Sequence, residues 1–368
     1  MARLDEQRRE LAASVRLNRA AENELTPQQA RLFVRSLQNS WQVPPIAWST
    51  QQSREQFADA RRLLHAASIF RQVDGDSSAD ALSCYRRAGE LLEWLARSAD
   101  AVTRDVPVAM LAAGAYQLAA LPAMATALLR QGRFEAGTAS IFAAFLSADF
   151  DAVIARAVDF WGEHPEWTGR DGSAALLDEE VPDTENDEPG VEGDDLDMPG
   201  GEGEKKVAEA GKIGRWVTVE LIRSLGLLSD GLRRGNDERT DRAIEKLTNL
   251  SELSTRLSSD ELWILITLID AAARRFAADS IHKRVARLTE RAPEKAPLMW
   301  RFAREQFARG RGILWASQLQ GLDRLIAQDS FALCTPTGSG KTLVANLALV
   351  KELLLVPADL QAPLAIYL

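Results

Sequence analysis

Apolar residues along most of this chain recur three and four positions apart, the spacing of one helix face. Leu63, Leu64, Ala67, Phe70 and Val73 show it plainly. Alanine, leucine, arginine and glutamate, all strong helix formers, dominate the first 310 residues. The pattern predicts helices over 3–20, 27–40, 52–73, 79–98, 106–120, 122–131, 137–160, 213–233, 237–256, 259–289 and 293–308. Start signals support several of them. Thr26-Pro27-Gln28-Gln29 places a capping hydroxyl ahead of a proline at the first helical position and a glutamine at the third. Ser258-Ser259-Asp260-Glu261 is a second capping box, and Gly132, Gly162 and Gly235 read as stops.

Two runs are apolar on every side. Leu262 to Ile269, interrupted by Thr267, reads as a buried helix. Residues 106–129 carry no charge, but Pro107, Gln117, Pro122 and Thr126 interrupt them. They read as a buried helical hairpin turning at Pro122 and not as a membrane span. Ala113-Gly114-Ala115-Tyr116-Gln117-Leu118-Ala119 resembles the close-packed hairpin of a helical repeat, yet no fixed period recurs. An irregular helical bundle or solenoid is therefore expected.

The pattern breaks twice. Residues 174–212 are acidic and rich in glycine and proline, which predicts a disordered linker. Thirteen acids and no base lie between 178 and 204. They conceal the charge of the remainder: the chain carries −9 as a whole and +4 without them. The second break follows residue 329. Phe331-Ala332-Leu333-Cys334 is a short apolar run that suits a buried parallel strand, Leu343 to Leu354 reads as a helix, and Leu364 to Leu368 as another strand. The expected fold is thus mainly α, a helical bundle followed by the first βαβ unit of an α/β domain. The expected organisation is 1–173 helical, 174–212 linker, 213–310 helical and packed on the first part, and 311–368 the start of a nucleotide-binding domain.

Composition narrows the chemistry. Cys84 and Cys334 are 250 positions apart, so neither a disulfide scaffold nor a four-cysteine zinc site is available. His65, His164 and His282 are scattered, which argues against a histidine metal site. The N-terminus is charged and has no apolar stretch, so a cytoplasmic protein without a secretory signal is expected.

The candidate chemistry lies in Thr335-Pro336-Thr337-Gly338-Ser339-Gly340-Lys341-Thr342, between the predicted strand and helix. It ends as phosphate loops end, in Gly-Lys-Thr. Gly338 and Gly340 would let backbone N–H groups converge on phosphate, with Thr335, Thr337 and Ser339 completing the loop. A helix N-terminus at Lys341 would add its dipole, and the ammonium would offset charge on the β- and γ-phosphates. The Thr342 hydroxyl would ligate Mg²⁺, so ATP and Mg²⁺ are the expected cofactors. Thr335 departs from the general pattern, which has glycine there. Gln318, seventeen residues upstream, has an amide able to donate to and accept from adenine together.

These residues carry a resemblance. Leu314-Trp315-Ala316-Ser317-Gln318, Gly321-Leu322-Asp323-Arg324-Leu325 and Leu333 to Ala345 are similar to the adenine-reading motif and motif I of superfamily 2 DEAD/DEAH-type helicases, closest to the Ski2-like branch. The resemblance covers 311–368. It implies a RecA-like fold, ATP read by Gln318 and held by Gly338, Gly340, Lys341 and Thr342, and nucleic acid, DNA or RNA, as partner. The family's acidic motif and its catalytic arginines have no counterpart in this sequence. A fragment able to bind nucleotide weakly but not to hydrolyse it is expected, with no catalytic residue of its own. The helical front half resembles, in composition, N-terminal regions of bacterial antiviral-defence helicases including the Hachiman type. It would be an accessory module contacting nucleic acid or a protein partner.

Basic clusters at Arg233-Arg234, Arg274-Arg275, Lys283-Arg284 and Arg301, Arg304, Arg309 and Arg311 are candidates for a nucleic-acid track, or are solvated helix faces. Two other readings stay open: a STAND-type or other phosphate-loop signalling ATPase, and a non-enzymatic helical scaffold with a vestigial loop.

Overall fold

The computed structural model describes residues 25–356 apart from 42, 43, 45, 77, 99–105, 168–200, 258, 291, 328–330 and 335–339, together with residues 6, 9, 10, 13 and 361. For 201–210 it describes the backbone. The fold is mainly helical, with fourteen α-helices among the described residues. They are α1 (Pro27–Trp41), α2 (Thr50–Asp74), α3 (Ala79–Arg97), α4 (Val108–Leu118), α5 (Pro122–Gln131), α6 (Gly137–Leu146) and α7 (Phe150–Glu163). After them come α8 (Gly201–Arg234), α9 (Asp237–Leu257), α10 (Asp260–Asp279), α11 (Ile281–Val285), α12 (Ala296–Ala308), α13 (Ala316–Ala327) and α14 (Lys341–Leu353). No helix among the described residues is long and apolar enough to cross a membrane.

The helices begin where short polar side chains satisfy orphan N–H groups. Thr26 and Gln29 cap each other's backbone at α1, both at 3.2 Å, and Ser49 and Gln52 form the same reciprocal box at α2. Ser259 accepts from Leu262 N–H at the start of α10. Four ends close by a 6→1 bond over a left-handed residue. Leu121 N–H reaches Tyr116 O (2.9 Å) over Ala120, and Asp149 N–H reaches Ala144 O (3.0 Å) over Ala148. Asn236 N–H reaches Gly231 O (2.9 Å) over Gly235, and Arg311 N–H reaches Gln306 O (2.8 Å) over Gly310.

Consecutive helices pack as hairpins around two interior helices, α4 and α10. Every residue of α4 from Met110 to Leu118 is buried, and α10 buries Leu262, Ile264, Leu265, Ile266, Leu268 and Ile269. Each Leu or Ile buried in this way contributes about 1.5–3 kcal/mol. The two helices approach closely because Gly114 has no side chain: a Cβ there would lie 3.1 Å from Leu268 Cβ. On the other side of α4 the Tyr116 ring lies over Gly89 of α3, where a Cβ would come within 2.9 Å. The Tyr116 hydroxyl donates to Glu93 Oε2 at 2.5 Å. Burial, together with that carboxylate, pushes the phenol far above its usual range. Arg275 of α10 caps α4, donating to Gln117 O (3.1 Å) and Leu118 O (2.9 Å).

Several sequence expectations need correction. The span 137–160 is two helices, because Ala148 turns left-handed and the Asp149 side chain then caps α7 through Ala152 N–H at 3.1 Å. Gly162 lies inside α7 and does not stop it. The span 259–289 breaks at Ser280, whose backbone is extended (φ −58°, ψ 132°). It pairs there with Ile313: Ile281 N–H donates to Gly312 O (2.9 Å) and Leu314 N–H to Asp279 O (3.0 Å). The predicted linker is shorter than 174–212, because α8 starts at Gly201. Glu204 to Ala210 is mostly strong helix formers, and that propensity prevails over the acidic context.

Among the described residues Phe331–Cys334 forms no strand and has no ladder partner, and strand pairing is confined to the isolated bridge between Ser280 and Ile313. Its exposure alternates, with Phe331 and Leu333 half-buried and Ala332 and Cys334 exposed. That alternation leaves one side of the segment half-buried, where a parallel strand would be buried on both faces. The predicted helix 3–20, apart from residues 6, 9, 10 and 13, and the predicted strand 364–368 lie outside the described residues.

Candidate functional site

The C-terminal helices form a pair distinct in character from α4 and α10. One stripe of α13 (Gln318, Gly321, Leu322 and Leu325) is buried against Leu343, Val344 and Leu347 of α14. The approach is close at Gly321, where a Cβ would lie 2.9 Å from Val344 Cγ1. Three contacts set the relative direction. Gln318 meets Gly340 at the start of each helix, Gly321 meets Val344 one turn on, and Lys351 Nζ donates to Leu325 O at 3.0 Å near both ends. The helices therefore run parallel, and both N-terminal dipoles point to the same end.

That end holds four of the sequence-predicted residues. Gly340 is the N-cap of α14 in the left-handed region (φ 77°, ψ 24°), and no side chain caps this helix. A Cβ at Gly340 would overlap Gln318 Nε2. Lys341 and Thr342 follow in the first turn, both exposed. Gln318 is 9% exposed, and its amide already makes two bonds: Oε1 accepts from Trp315 N–H (2.8 Å) and Nε2 donates to Gly340 O (3.3 Å). It is thus the third residue of α13 reaching back over the helix start, and it ties that start to Gly340. Thr335, Thr337, Gly338 and Ser339 lie outside the described residues. Among the described residues no cluster of His, Cys, Asp and Glu could hold a metal ion.

The structure divides the basic clusters into two kinds. Arg274, Arg275 and Arg284 work inside the fold. Arg274 pairs with Asp270 at 3.2 Å, while Arg275 and Arg284 flank Asp279 at 3.5 and 3.0 Å. Burial still holds the Asp279 carboxyl above its usual range, against the pull of both guanidiniums. Arg309 pairs with Glu305 at 2.5 Å. Arg233, Arg234, Lys283 and Arg304 converge on one cleft of about 690 Å³ with His282 and Trp300, where Arg233 pairs with Asp151 (3.0 Å) and Arg234 with Asp230 (2.6 Å). Its floor is built from the core outward. Phe276 and Phe150 lie 5.8 Å apart, Phe150 and Phe307 6.0 Å, and the Phe307 ring stacks on His282 at 5.2 Å. His282 Nε2 lies 3.2 Å from Arg233 O, a donor's distance at the end of α8. Burial, the largest cause, and the nearby Arg304 hold its imidazole below the usual pKa.

Trp300, 57% exposed on α12, is a functional candidate that periodicity does not single out. Its sequence signal is an aromatic between Lys295 and the arginines Arg301 and Arg304 in a short amphipathic helix. No family model matches this chain, and no curated protein matches it.

Proposed function

We propose that this chain is the N-terminal part of an ATP-dependent superfamily 2 nucleic-acid helicase, whose ATP is bound by 335–342 and whose helical body is an accessory module for nucleic acid or a protein partner. One observation carries the reading: a left-handed glycine N-cap, followed by an exposed lysine and threonine, stands at the shared N-terminal end of two parallel helices beside Gln318. Such an end offers main-chain N–H groups and positive dipole to a polyphosphate. Gly340 also lets the Gln318 amide lie directly against the main chain at this end, where a Cβ would overlap its Nε2.

The roles follow from the chemistry of each group. Gly340 lets main-chain N–H groups face phosphate, Lys341 offsets charge on the β- and γ-phosphates, and Thr342 offers its hydroxyl to Mg²⁺. The magnesium ion, when bound, neutralises charge between the outer phosphates. The Gln318 amide has two N–H groups and two lone pairs on its oxygen. Trp315 and Gly340 take one of each among the described residues, which leaves one donor and one acceptor for adenine N7 and N6. Its bond to Gly340 would couple base reading to the phosphate end.

Titration with fluorescent ATP and GTP analogues in Mg²⁺ tests this assignment. The wild-type chain is expected to prefer ATP, and Gln318→Ala to lose the preference by about ten-fold, the loss from one unpaired polar contact. Equal affinities for the two nucleotides in both proteins would contradict the adenine role, and no nucleotide binding at all would favour the scaffold reading.

A further inference from the structure

The cleft at Trp300 does not stand alone. A second cleft of about 600 Å³ shares Arg233 and Ala308 with it and carries Arg130, Arg133 and Arg156. A third, of about 700 Å³, shares Arg130 and Gly310 with the second and ends at Trp315, Ala316 and Ser317. The three form one groove from α12 across the turns of the helical body to the first residues of α13. A tryptophan stands at each end: Trp300 is 57% exposed and Trp315 42%. Cations line the first two clefts, and the third carries Arg130 and Arg275, the latter held by Asp279 and the end of α4. Acids are present as well, namely Asp237, Glu135, Asp149, Asp151 and Asp279. Several of them are engaged: Asp151 accepts from Arg233 (3.0 Å), Asp149 caps α7, and Asp279 is flanked by Arg275 and Arg284. Among the described residues no acid pairs with Lys283 or Arg304, and both are exposed beside Trp300.

We infer that this groove is the binding track for a single-stranded polynucleotide, in which one base stacks on Trp300 and the adjoining phosphates lie on Lys283, Arg304, Arg234 and Arg233. Three features favour a polynucleotide over an acidic peptide. Exposed indole faces suit bases, which present a flat π-surface whatever their sequence. Guanidinium forks match phosphate oxygens in pairs. Cations recur along the first two clefts, as a repeating backbone charge requires. The groove ends at the helix that carries Gln318, so an occupying strand would touch the element that ties to Gly340. His282 is a positioning residue: through the Arg233 carbonyl it holds the end of α8 against α12.

The inference rests on the nucleic-acid half of the function proposed above and not on its ATP half. The test is fluorescence anisotropy of labelled oligo(dT) and oligo(rU) with the full chain, with labelled ATP titrated against the same preparations. Trp300→Ala is expected to weaken oligonucleotide binding about ten-fold, as loss of one stacked base does. Lys283→Glu with Arg304→Glu should weaken it further and lower the slope of log K against log salt by about 1.4, at roughly 0.7 per phosphate contact. The exposed control Arg86→Glu should leave oligonucleotide binding unchanged. If Trp300→Ala and the double variant bind oligonucleotide like wild type, the track is overturned while the nucleic-acid reading stands. If wild type binds ATP but no oligonucleotide, the track falls and the ATP reading stands. If polyglutamate competes as well as oligo(dT), the groove is a surface for acidic protein and the inference is wrong.

Discussion

Two pairs of packed helices in this molecule solve different problems. The α4–α10 pair is buried on nearly every face, and its glycine, Gly114, lets two helices touch. The α13–α14 pair is buried along one stripe, and its N-cap glycine, Gly340, leaves a helix start without a side-chain cap. Glycine admits Leu268 between two helices in the first place, and in the second admits the Gln318 amide against a helix start. Polar groups follow the same division. Arg275 is fixed on the carbonyls that end α4, whereas Lys341 and Thr342 point outward at the shared helix end. The difference teaches that the α4–α10 pair is built for packing, whereas the α13–α14 pair keeps exposed polar groups at one end.

Mutations should separate the two regions. The largest effect is expected from Leu268→Ala, which opens a cavity where α10 meets Gly114 and should lower unfolding free energy by about 2–5 kcal/mol. Urea denaturation would measure it, and labelled ATP should bind the remaining folded protein as before. Gly340→Val should act in the opposite sense. A β-branched residue in the left-handed region costs about 1–2 kcal/mol, a modest loss of stability, yet the new side chain would strike Gln318 and nucleotide binding should disappear. If Gly340→Val bound nucleotide normally, the division of labour between the pairs would be wrong.

Smaller effects sharpen the picture of the body. Ala120 is held at φ 63° to close α4 onto α5. Ala120→Gly should relieve that strain and raise the unfolding free energy measured in urea by less than about 1 kcal/mol, partly offset by the freer unfolded chain. A loss of stability would show that the turn is not strained. The smallest effect belongs to His282. The imidazole faces Arg304, Asp237, the Arg233 carbonyl and the Phe307 ring, and its folded pKa is depressed, chiefly by burial. A depressed pKa means that the unfolded chain takes up the proton first. The contribution of His282 is therefore intact above its unfolded value of about 6.5 and is lost as pH falls through the folded value. Unfolding midpoints between pH 8 and 5 should fall less steeply for His282→Gln than for wild type.

Much of this architecture was legible in the order of residues, and the exceptions have physical causes. Capping pairs such as Thr26 with Gln29 are local, so they show in sequence. The breaks at Ala148 and Ser280 do not. Alanine gives no sign of a left-handed turn, and Ser280 is pulled straight by Ile313, thirty-three residues away. The run Phe331–Cys334 has the composition of a strand, but pairing depends on neighbours that sequence composition cannot supply. At the candidate site, Gln318, Gly340, Lys341 and Thr342 were recognisable from their types and spacing, and the structure brings them to one end. The gathering of Arg233, Arg234, Lys283 and Arg304 about Trp300 was not, since its parts come from three helices.

The most direct test is equilibrium dialysis of labelled Mg·ATP against the full chain and against Lys341→Ala, with thermal unfolding of both. The account predicts saturable binding by the wild type, at least ten-fold weaker binding by the variant, and unchanged thermal stability. Equal binding by the two proteins would contradict it.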